Sequence, residues 1–402
     1  MFKEKLKNYR HYIFYSSSIL FGRGLEYLWF FIISYYATKE QYGTFEFYRK
    51  IIEFIAVFAS FGFPALILTY AKDKNEKNNF FIAGMFLSFS ITIITGTILF
   101  LFGIDYLILI VPILFYSIFH YSNSIYQAYN LVQKGSKYAS LYKTIVSILF
   151  TVSILIFFFF IEEKEFSIIY CTFPLLLLGM IYFAKDFDFG TIKHGCQSLM
   201  ETIRLQYING GVLFLTTVAN TFFLTIDVLI IGYYSGTSTP KLAEYNFPLV
   251  LASTLLIIPM TITSVDIENY KQSHSKFLSS LKKNTIFTFI ASVFVFGFYI
   301  ILINSFYPDY KNTVLVFSII LVAKIVQSIT IPYGIYLGTK GIFIFQFKVL
   351  LLSLGLNTIL SLLVYNKYGL VGIACISFLS LLIRFLFYYK KFNKLYSIKV
   401  EE

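Results

Sequence analysis

The chain has 402 residues, of which 57% are hydrophobic, 20% aromatic and only 13% charged, and its mean hydropathy is +0.73. Ordinary soluble domains carry about 25% charged residues, so this composition excludes a water-soluble globular protein. A net charge of +12 would suggest nucleic-acid binding in a soluble chain, but the positions of the basic residues, described below, exclude that function.

Apolar runs of roughly 18 or more residues recur along the whole chain, and a helix of that length spans a bilayer. Lipid offers the backbone no hydrogen-bond partners, so such segments are expected to be helical. The sequence therefore predicts an all-α integral membrane protein with about twelve transmembrane helices. In chain order the predicted spans are 12–37, 44–71, 79–102, 106–132, 138–161, 166–184, 206–234, 242–267, 285–304, 312–338, 341–364 and 369–389.

The lysines and arginines predict which side of the membrane each loop faces. Twenty-one of them fall in the termini and in the loops on the side of the N-terminus. The opposite side holds only five, namely Lys39, Lys164, Lys241, Lys311 and Lys367. Short basic loops stay in the cytoplasm, so both termini are predicted to be cytoplasmic. The basic excess is thus a topology signal, and no nucleic-acid partner is expected.

Two stretches of the chain are alike: IISYYATKEQYGTFEF at 32–47 and IIGYYSGTSTPKLAEYNF at 230–247. Each runs Ile-Ile-x-Tyr-Tyr, then a polar loop, then an aromatic-x-Phe pair. They end the first and the seventh predicted spans, and an even number of helices separates them, so the two halves run parallel. Parallel repeats are a transporter architecture. We predict two six-helix bundles around a central cavity, with an N-terminal bundle at 1–185, a cytoplasmic linker at 186–205, a C-terminal bundle at 206–389 and a cytoplasmic tail at 390–402.

Motifs for chemistry are missing from the sequence. There is no GxxxxGK[ST] phosphate loop, no HExxH and no GxSxG. The four histidines and three cysteines are scattered without metal-ligand spacing. Every loop between predicted spans is short, so no extramembrane catalytic domain is expected. The sequence predicts a transporter rather than an enzyme, with no cofactor and no metal.

Ionisable residues inside predicted spans are candidate functional groups, because a charge at the bilayer centre costs at least about 2.5–3.5 kcal/mol. Arg23 and Glu26 lie three residues apart in the first span and share a face. They are interpreted either as a diphosphate-binding arginine tuned by a glutamate or as a pair that neutralises itself. Arg49 and Glu53, with Glu46, share a face of the second span. They are interpreted either as part of the same site or as an interfacial cluster that snorkels to the headgroups.

Arginine usage adds to this interpretation. The chain has 28 lysines but five arginines, and three of the five, Arg23, Arg49 and Arg384, lie within predicted spans. The planar guanidinium fork matches a diphosphate bidentately, whereas lysine is a point charge. Arg384 lies near the cytoplasmic end of its span, where it can snorkel. Lys143 and Lys348 are likewise expected to snorkel.

In the second half, Asp227, Lys324 and Gln327 are the deepest polar groups. A buried carboxylate can carry a proton, so Asp227, and in the first half Glu53, are candidate coupling carboxylates. Hydrogen bonding of Asp227 to a neighbouring helix is the alternative. In the fourth span, His120, Asn123, Ser124 and Gln127 form a polar stripe at helical spacing. The stripe is interpreted either as a sugar-facing surface of a hydrated cavity or as polar contact between helices.

The two stretches at 34–54 and 226–265 resemble the Wzx-type oligosaccharide flippases of bacterial surface-polysaccharide assembly. The first has a Tyr-Gly pair before the second helix. The second has an Ile-Asp entry, a Gly-containing outer turn and a proline in the eighth helix. This family belongs with the peptidoglycan-precursor flippases and the multidrug and toxin extruders in one exporter superfamily. The peptidoglycan-precursor flippases place arginines in their first two helices.

The resemblance implies a function. Such proteins move undecaprenyl-diphosphate-linked oligosaccharides, the precursors of O-antigen, lipopolysaccharide or capsule, across the bacterial cytoplasmic (inner) membrane by alternating access. Polymerase and chain-length proteins of the same pathway are the expected protein partners, beside the bilayer itself. Arg23, Glu26, Arg49, Lys324 and Gln327 would bind the diphosphate or line the cavity.

Two competing functions are kept open. A proton- or sodium-coupled multidrug exporter would have the same fold, although a cavity for cationic drugs would be expected to lack arginines. A membrane-embedded glycan polymerase or transferase would need a sizeable outer loop, and the sequence has none above about twenty residues.

Overall fold

The structure is a computed structural model, and it describes residues 2–69, 74–101, 107–121, 124–186, 195, 197, 199–272 and 274–400. Within these ranges the chain is helical and contains no β-strand, which confirms the all-α prediction. The α-helices are α1 Phe2–Tyr36, α2 Lys39–Ala59, α3 Phe63–Thr69, α4 Lys74–Leu101, α5 Ile110–Ile118, α6 Ile125–Gln133, α7 Ser136–Phe160, α8 Ser167–Tyr170, α9 Thr172–Asp186, α10 Leu199–Ser235, α11 Pro240–Ser253, α12 Ile257–Gln272, α13 His274–Ser305, α14 Val314–Thr339 and α15 Phe343–Val400. Short 3₁₀ turns lie at Leu107–Leu109, Lys164–Phe166, Thr254–Leu256 and Pro308–Thr313.

Many of these helices are suited to a bilayer. Among the described residues, eight helical segments are long and apolar enough to cross a membrane by length and composition. The chain is therefore a multi-pass membrane protein. The count of twelve spans and the cytoplasmic termini stay predictions.

Two of the predicted spans are broken in the structure, and a third contains a 3₁₀ turn. The span at 44–71 consists of α2 and α3, separated by a turn at 60–62 in which Gly62 has φ +76°. The span at 106–132 contains α5 and α6, with non-helical backbone at residues 119–121 and 124. The span at 242–267 contains α11 and α12 with a 3₁₀ turn between them. Hydropathy is blind to such breaks because the turn residues are themselves apolar or small.

Helix α15 is interrupted once. Gly369 has φ 55° and ψ −137°, a conformation that only glycine adopts readily, so the element consists of two helices meeting at this residue. The predicted spans 341–364 and 369–389 lie on either side of that break. The second helix continues to Val400, through the predicted tail.

The backbone divides into two compact units. The first comprises Met1–Ala37 and Tyr48–Thr221, and the second comprises Thr38–Phe47 and Phe222–Glu402. In the first unit α1 packs along α7, with Trp29 edge-on to Phe150. In the second unit α14 packs along α15 and α13. The predicted bundles at 1–185 and 206–389 remain a prediction.

Residues 38–47 of the first repeated stretch and all of the second, 230–247, lie in the second unit, where they contact one another. Thr44 of the first copy donates a hydrogen bond to the carbonyl oxygen of Thr237 in the second, at 3.0 Å. A Cβ placed on Gly43 would lie 2.7 Å from the carbonyl oxygen of Thr239, so the close approach requires glycine. The repeated sequence thus marks two segments that pack together.

The packing of α9 on the end of α5 provides a test of the fold. A Cβ on Gly179 would lie 2.6 Å from Cγ of Phe119, whereas a Cβ on Gly297 meets nothing within 4 Å. Overpacking a tight contact costs about 1–3 kcal/mol, so Gly179→Ala is expected to lower the apparent Tm of the purified protein. Gly297→Ala is the matched control, and it should leave the Tm unchanged or raise it because alanine favours helix. An unchanged Tm for Gly179→Ala would contradict this packing.

Candidate functional site

The first unit contains a cluster of ion-paired side chains on α1 and α2. Arg23 and Glu26 are one turn apart on α1, and Nη1 of Arg23 lies 2.6 Å from Oε2 of Glu26. The other carboxylate oxygen of Glu26 lies 3.9 Å from Nη1 of Arg49, on α2. The structure therefore brings together the predicted arginines of the first two spans through one shared glutamate.

Arg49 is the most enclosed member of this cluster, since its side chain is only 7% exposed. Its Nη1 donates to Oε1 of Glu53 at 2.7 Å, and its guanidinium carbon lies 5.9 Å from the centroid of the Trp29 ring. Lys50 donates to the other oxygen of Glu53 at 2.9 Å. Glu46, the third member of the predicted face, is fully buried and belongs to the second unit. The burial of Arg49 and Glu46 favours side chains that point into the protein interior over side chains that extend to the lipid headgroups.

The ion pairs described above join three basic side chains, Arg23, Arg49 and Lys50, to the two carboxylates of Glu26 and Glu53. Lys143 of α7 adds a further cation, because a Cβ on Gly22, next to Arg23, would lie 3.7 Å from its Cε. A cationic cluster whose guanidinium groups already hold carboxylates is suited to exchanging those carboxylates for another anion.

The predicted polar stripe of the fourth span is not one helical face. His120 lies in the break between α5 and α6, and its ring stacks on Tyr116 with centroids 4.2 Å apart. It also interacts electrostatically with Glu53, so the structure associates it with the charge cluster. Ser124 is the N-cap of α6 and accepts from the backbone N–H of Gln127 at 3.3 Å. Asn123 lies outside the described residues. The helical-spacing interpretation was wrong here because the capping serine begins a new helix.

The second unit contains a buried carboxylate with three hydrogen-bond donors. Oδ2 of Asp227, on α10, accepts from the hydroxyl of Tyr245 at 2.6 Å and from the hydroxyl of Ser377 at 2.5 Å. Oδ1 accepts from Nδ2 of Asn357 at 3.0 Å. The donors come from α11 and from both parts of α15, so three helical segments converge on one carboxylate.

Lys324 and Gln327 form the other predicted polar pair of this unit. Both are buried on α14, and Nζ of Lys324 donates to Oε1 of Gln327 at 3.0 Å. The charge of Lys324 has a small favourable electrostatic effect on the Asp227 carboxylate.

Sequence analysis missed several members of the two clusters. In the first unit it passed over Lys50 and assigned Lys143 to the membrane surface. In the second it passed over Tyr245, Asn357 and Ser377. A signal was present for Tyr245, which belongs to the aromatic-x-Phe pair of the repeat, and for Asn357, an amide deep within the apolar predicted span 341–364. Among the described residues, no group of three or more His, Cys, Asp or Glu is arranged to hold a metal ion.

Comparison with known proteins identifies the family. Residues 9–267 match the polysaccharide biosynthesis protein family. The chain belongs to the polysaccharide biosynthesis protein family. The chain is 25% identical over 397 residues to an uncharacterized membrane protein of Methanocaldococcus jannaschii, with 90% of this chain and 92% of the relative covered. It is 32% identical over 151 residues to the capsular polysaccharide biosynthesis protein CapF of Staphylococcus aureus, with 37% of this chain and 34% of CapF covered.

Two solved structures have a fold similar to that of this chain. The lipid II flippase MurJ in an inward closed conformation superimposes with a TM-score of 0.62 at 14% identity, covering 96% of this chain and 87% of MurJ. An inward-facing multidrug resistance MATE transporter of the MOP superfamily superimposes with a TM-score of 0.61 at 15% identity, covering 95% of this chain and 96% of that chain. The chain thus has the fold of this flippase and this transporter, and the resemblance to the family of polysaccharide flippases is confirmed by the family match.

The ion pair between Arg49 and Glu53 provides a test of the charge cluster. Removing one partner of a fully buried pair costs about 3–5 kcal/mol, and the exposure of the Glu53 side chain, 29%, reduces that cost. Glu53→Gln is expected to lower the apparent Tm by about 2–5 °C. Glu40→Gln, an exposed position on the same helix, is the control and should have no effect. Equal Tm values for the two variants would mean that the pair is not held as described.

Proposed function

We propose that this polysaccharide biosynthesis protein is a flippase for undecaprenyl-diphosphate-linked oligosaccharide repeat units, the precursors of O-antigen or capsule. It moves them across the bacterial cytoplasmic membrane by alternating access. Membership of the family, the partial likeness to CapF and the fold shared with MurJ support this proposal. Polymerase and chain-length proteins of the same pathway are its proposed partners.

The observation that carries the proposal is the cationic cluster of α1 and α2. A polyprenyl diphosphate presents two adjacent anionic groups at the boundary of an apolar tail and a polar glycan. Two guanidinium groups that share Glu26 are suited to bind such a pair of phosphates bidentately. Lysines alone would supply charge without this planar geometry.

The glutamates of the cluster act as internal anions in this mechanism. With no substrate bound, Glu26 and Glu53 satisfy the arginines, so no guanidinium charge is left uncompensated in the apolar unit. An arriving diphosphate replaces them as the partner of the two arginines. On release, the carboxylates return and lower the cost of freeing the product. His120, near this cluster, and Gln127, on α6, are proposed to face the sugar. Asn123 is proposed to act with them.

Asp227 is the proposed coupling carboxylate, with Glu53 as the second candidate. Three donors hold Asp227 in a buried position beside Lys324, and neutralising it with a cation would change every one of these hydrogen bonds. The site therefore has two distinct electrostatic states. Lys324 and Gln327 contribute to the path of the anionic headgroup in the second half.

A cation-coupled multidrug exporter is the alternative function. The similarity in fold to a MATE transporter and the buried Asp227 favour it. The arginine pair argues against it, because a cavity for cationic drugs would repel its substrate there. Drug efflux by the intact protein, lost on Asp227→Asn and unaffected by Arg23→Ala, would establish the exporter instead.

Loss of Arg23 is expected to abolish flipping. In cells lacking the gene, the intact protein should restore surface polysaccharide and remove lipid-linked repeat units trapped at the inner leaflet. Arg23→Ala at equal membrane abundance should do neither, and Arg23→Lys should restore flipping only partly because it lacks the bidentate fork. Arg204→Ala, an exposed arginine of α10, is the control and should behave as the intact protein.

Three outcomes of this assay separate the alternatives. Trapped units in the deletion, together with failure of Arg23→Ala, support the flippase and the site. Full rescue by Arg23→Ala leaves the function and displaces the binding site. Normal glycan in a deletion strain without a second flippase contradicts the proposed function.

Asp227→Asn is expected to uncouple transport. The amide keeps the size of the side chain but cannot change its charge, so flipping should no longer respond to a proton or sodium gradient. The measurement is the rate at which lipid-linked units become accessible at the outer leaflet of vesicles, with and without an imposed gradient. Ser361→Ala, which removes a hydroxyl contacting Asn357 but not Asp227, is the control. A gradient response retained by Asp227→Asn would transfer the coupling role to Glu53.

A further inference from the structure

The segment at 38–47 is held on the second unit by a set of contacts that we name the clasp. Its members are Lys39, Gly43 and Thr44 on one side and Thr237, Thr239, Glu244 and Asp309 on the other. The segment belongs to the second unit, while α2 continues into the first unit from Tyr48. Any movement of the start of α2 away from α11 must break the clasp.

Lys39 makes the strongest contacts of the clasp. Its Nζ lies 2.8 Å from Oε1 of Glu244 and 2.7 Å from the carbonyl oxygen of Asp309. It also lies 5.2 Å from the centroid of the Tyr310 ring. Two of the three N–H donors of the ammonium group are thus hydrogen-bonded, and its charge also interacts with the Tyr310 ring.

The clasp adjoins the Asp227 network along the chain. Glu244, which holds Lys39, is followed directly by Tyr245, whose hydroxyl donates to Asp227. Both residues are on α11, and Tyr245 is 1% exposed. A change in the position of Tyr245 therefore moves the residue that holds the clasp.

We propose that Tyr245 is a positioning residue that ties the clasp to the charge of Asp227. While Asp227 is an unoccupied carboxylate, it accepts a strong, charge-assisted hydrogen bond from Tyr245 and fixes the first turns of α11. A cation on Asp227, either a proton or a metal ion, takes up the acceptor oxygen and weakens that bond. Helix α11 is then free to shift, and Glu244 releases Lys39. The inference rests on the proposed function only in taking Asp227 as the coupling carboxylate.

The surroundings of Asp227 support this linkage. From α11 it meets Tyr245, from α15 it meets Asn357 and Ser377, and from α14 it meets the charge of Lys324. Of these, only Tyr245 connects the carboxylate to the helix that holds the clasp. Asn357 and Ser377 anchor it to α15 instead.

The test measures the clasp directly and needs no substrate. Thr44 is 8% exposed and points at the carbonyl oxygen of Thr237, so a thiol at this position is shielded while the clasp is closed. Thr44→Cys is introduced into the full chain after Cys171, Cys196 and Cys375 are changed to alanine. The rate of its reaction with N-ethylmaleimide is then measured in membranes. Lys39→Ala, which removes the ion pair, gives the rate of the open clasp.

Tyr245→Phe and Asp227→Asn are each expected to raise the labelling rate about tenfold. The double variant should show no further increase, because both changes remove the same hydrogen bond. Tyr270→Phe is the matched control, since it removes another fully buried tyrosine hydroxyl of the same unit, one that contacts Ser280. It should leave the rate unchanged. Exchanging the charges with Lys39→Glu and Glu244→Lys together should return a slow rate that either change alone raises.

Each other outcome overturns a part of the proposal. A fast rate in Lys39→Ala with a slow rate in Tyr245→Phe would show a clasp that is independent of Asp227. Equal rates in all variants would show that these contacts do not close the segment. For the intact network, rates relative to Lys39→Ala are compared at low pH without sodium and at fixed pH with sodium. A higher labelling rate at low pH identifies a proton as the cation, and a higher rate with sodium identifies sodium. If neither condition raises the rate, control of the clasp by a bound cation is excluded.

The outcome is separable from that of the proposed function. The labelling rate reports the clasp whatever the substrate is, whereas the glycan assay reports the flipped lipid. A cation-dependent clasp in a protein that does not flip lipid-linked glycan would retain the inference and reject the flippase.

Discussion

A charge inside an apolar helical bundle needs a partner, and the charged groups of both candidate sites have one. Arg23 and Arg49 carry glutamates as partners, and Asp227 carries three hydrogen-bond donors beside a lysine. Each site is therefore complete without a ligand. A ligand can enter only by replacing an internal partner, so the chemistry of that partner selects the ligand. An anion can replace the carboxylates that hold the arginines. A cation can replace the hydrogen bonds that hold the carboxylate of Asp227.

In the proposed flippase the two units have different tasks. The first unit holds arginines paired with carboxylates that an anionic headgroup can replace. The second unit holds a single carboxylate whose donors come from distant parts of the chain, so its charge affects the positions of α10, α11 and α15 together. Binding energy at the one site and conformational control at the other are the two requirements of alternating access.

The sequence alone was sufficient for the helical class and for the main charged residues. Apolar runs predict the helical class, and the rarity of arginine in a lysine-rich chain indicates Arg23 and Arg49 as candidate site residues. The sequence did not predict the breaks inside the spans, because the backbone turn at Gly62 and the helix cap at Ser124 leave hydropathy unchanged. Nor did it predict the donors to Asp227. Asn357 and Ser377 lie 130 and 150 positions away along the chain, and such contacts depend on how helices pack rather than on any local pattern.

The repeated loop shows where sequence and packing meet. Its two copies do more than occupy equivalent ends of two helices, because the first copy packs on the second. Gly43 lacks a side chain because the carbonyl oxygen of Thr239 occupies that space, and Phe47 packs against Gly232, where a Cβ would lie 2.6 Å from the ring. Each copy thus supplies the glycine that admits the other. Two segments in mutual contact constrain one another's residues, and similarity between them is the expected trace of that constraint. The aromatic-x-Phe pair follows the same rule with one difference: the first copy has Phe45 where the second has Tyr245, and the added hydroxyl is the group that reaches Asp227. This departure from the repeat gives the second copy a hydrogen bond that the first copy, with phenylalanine at the equivalent position, cannot make.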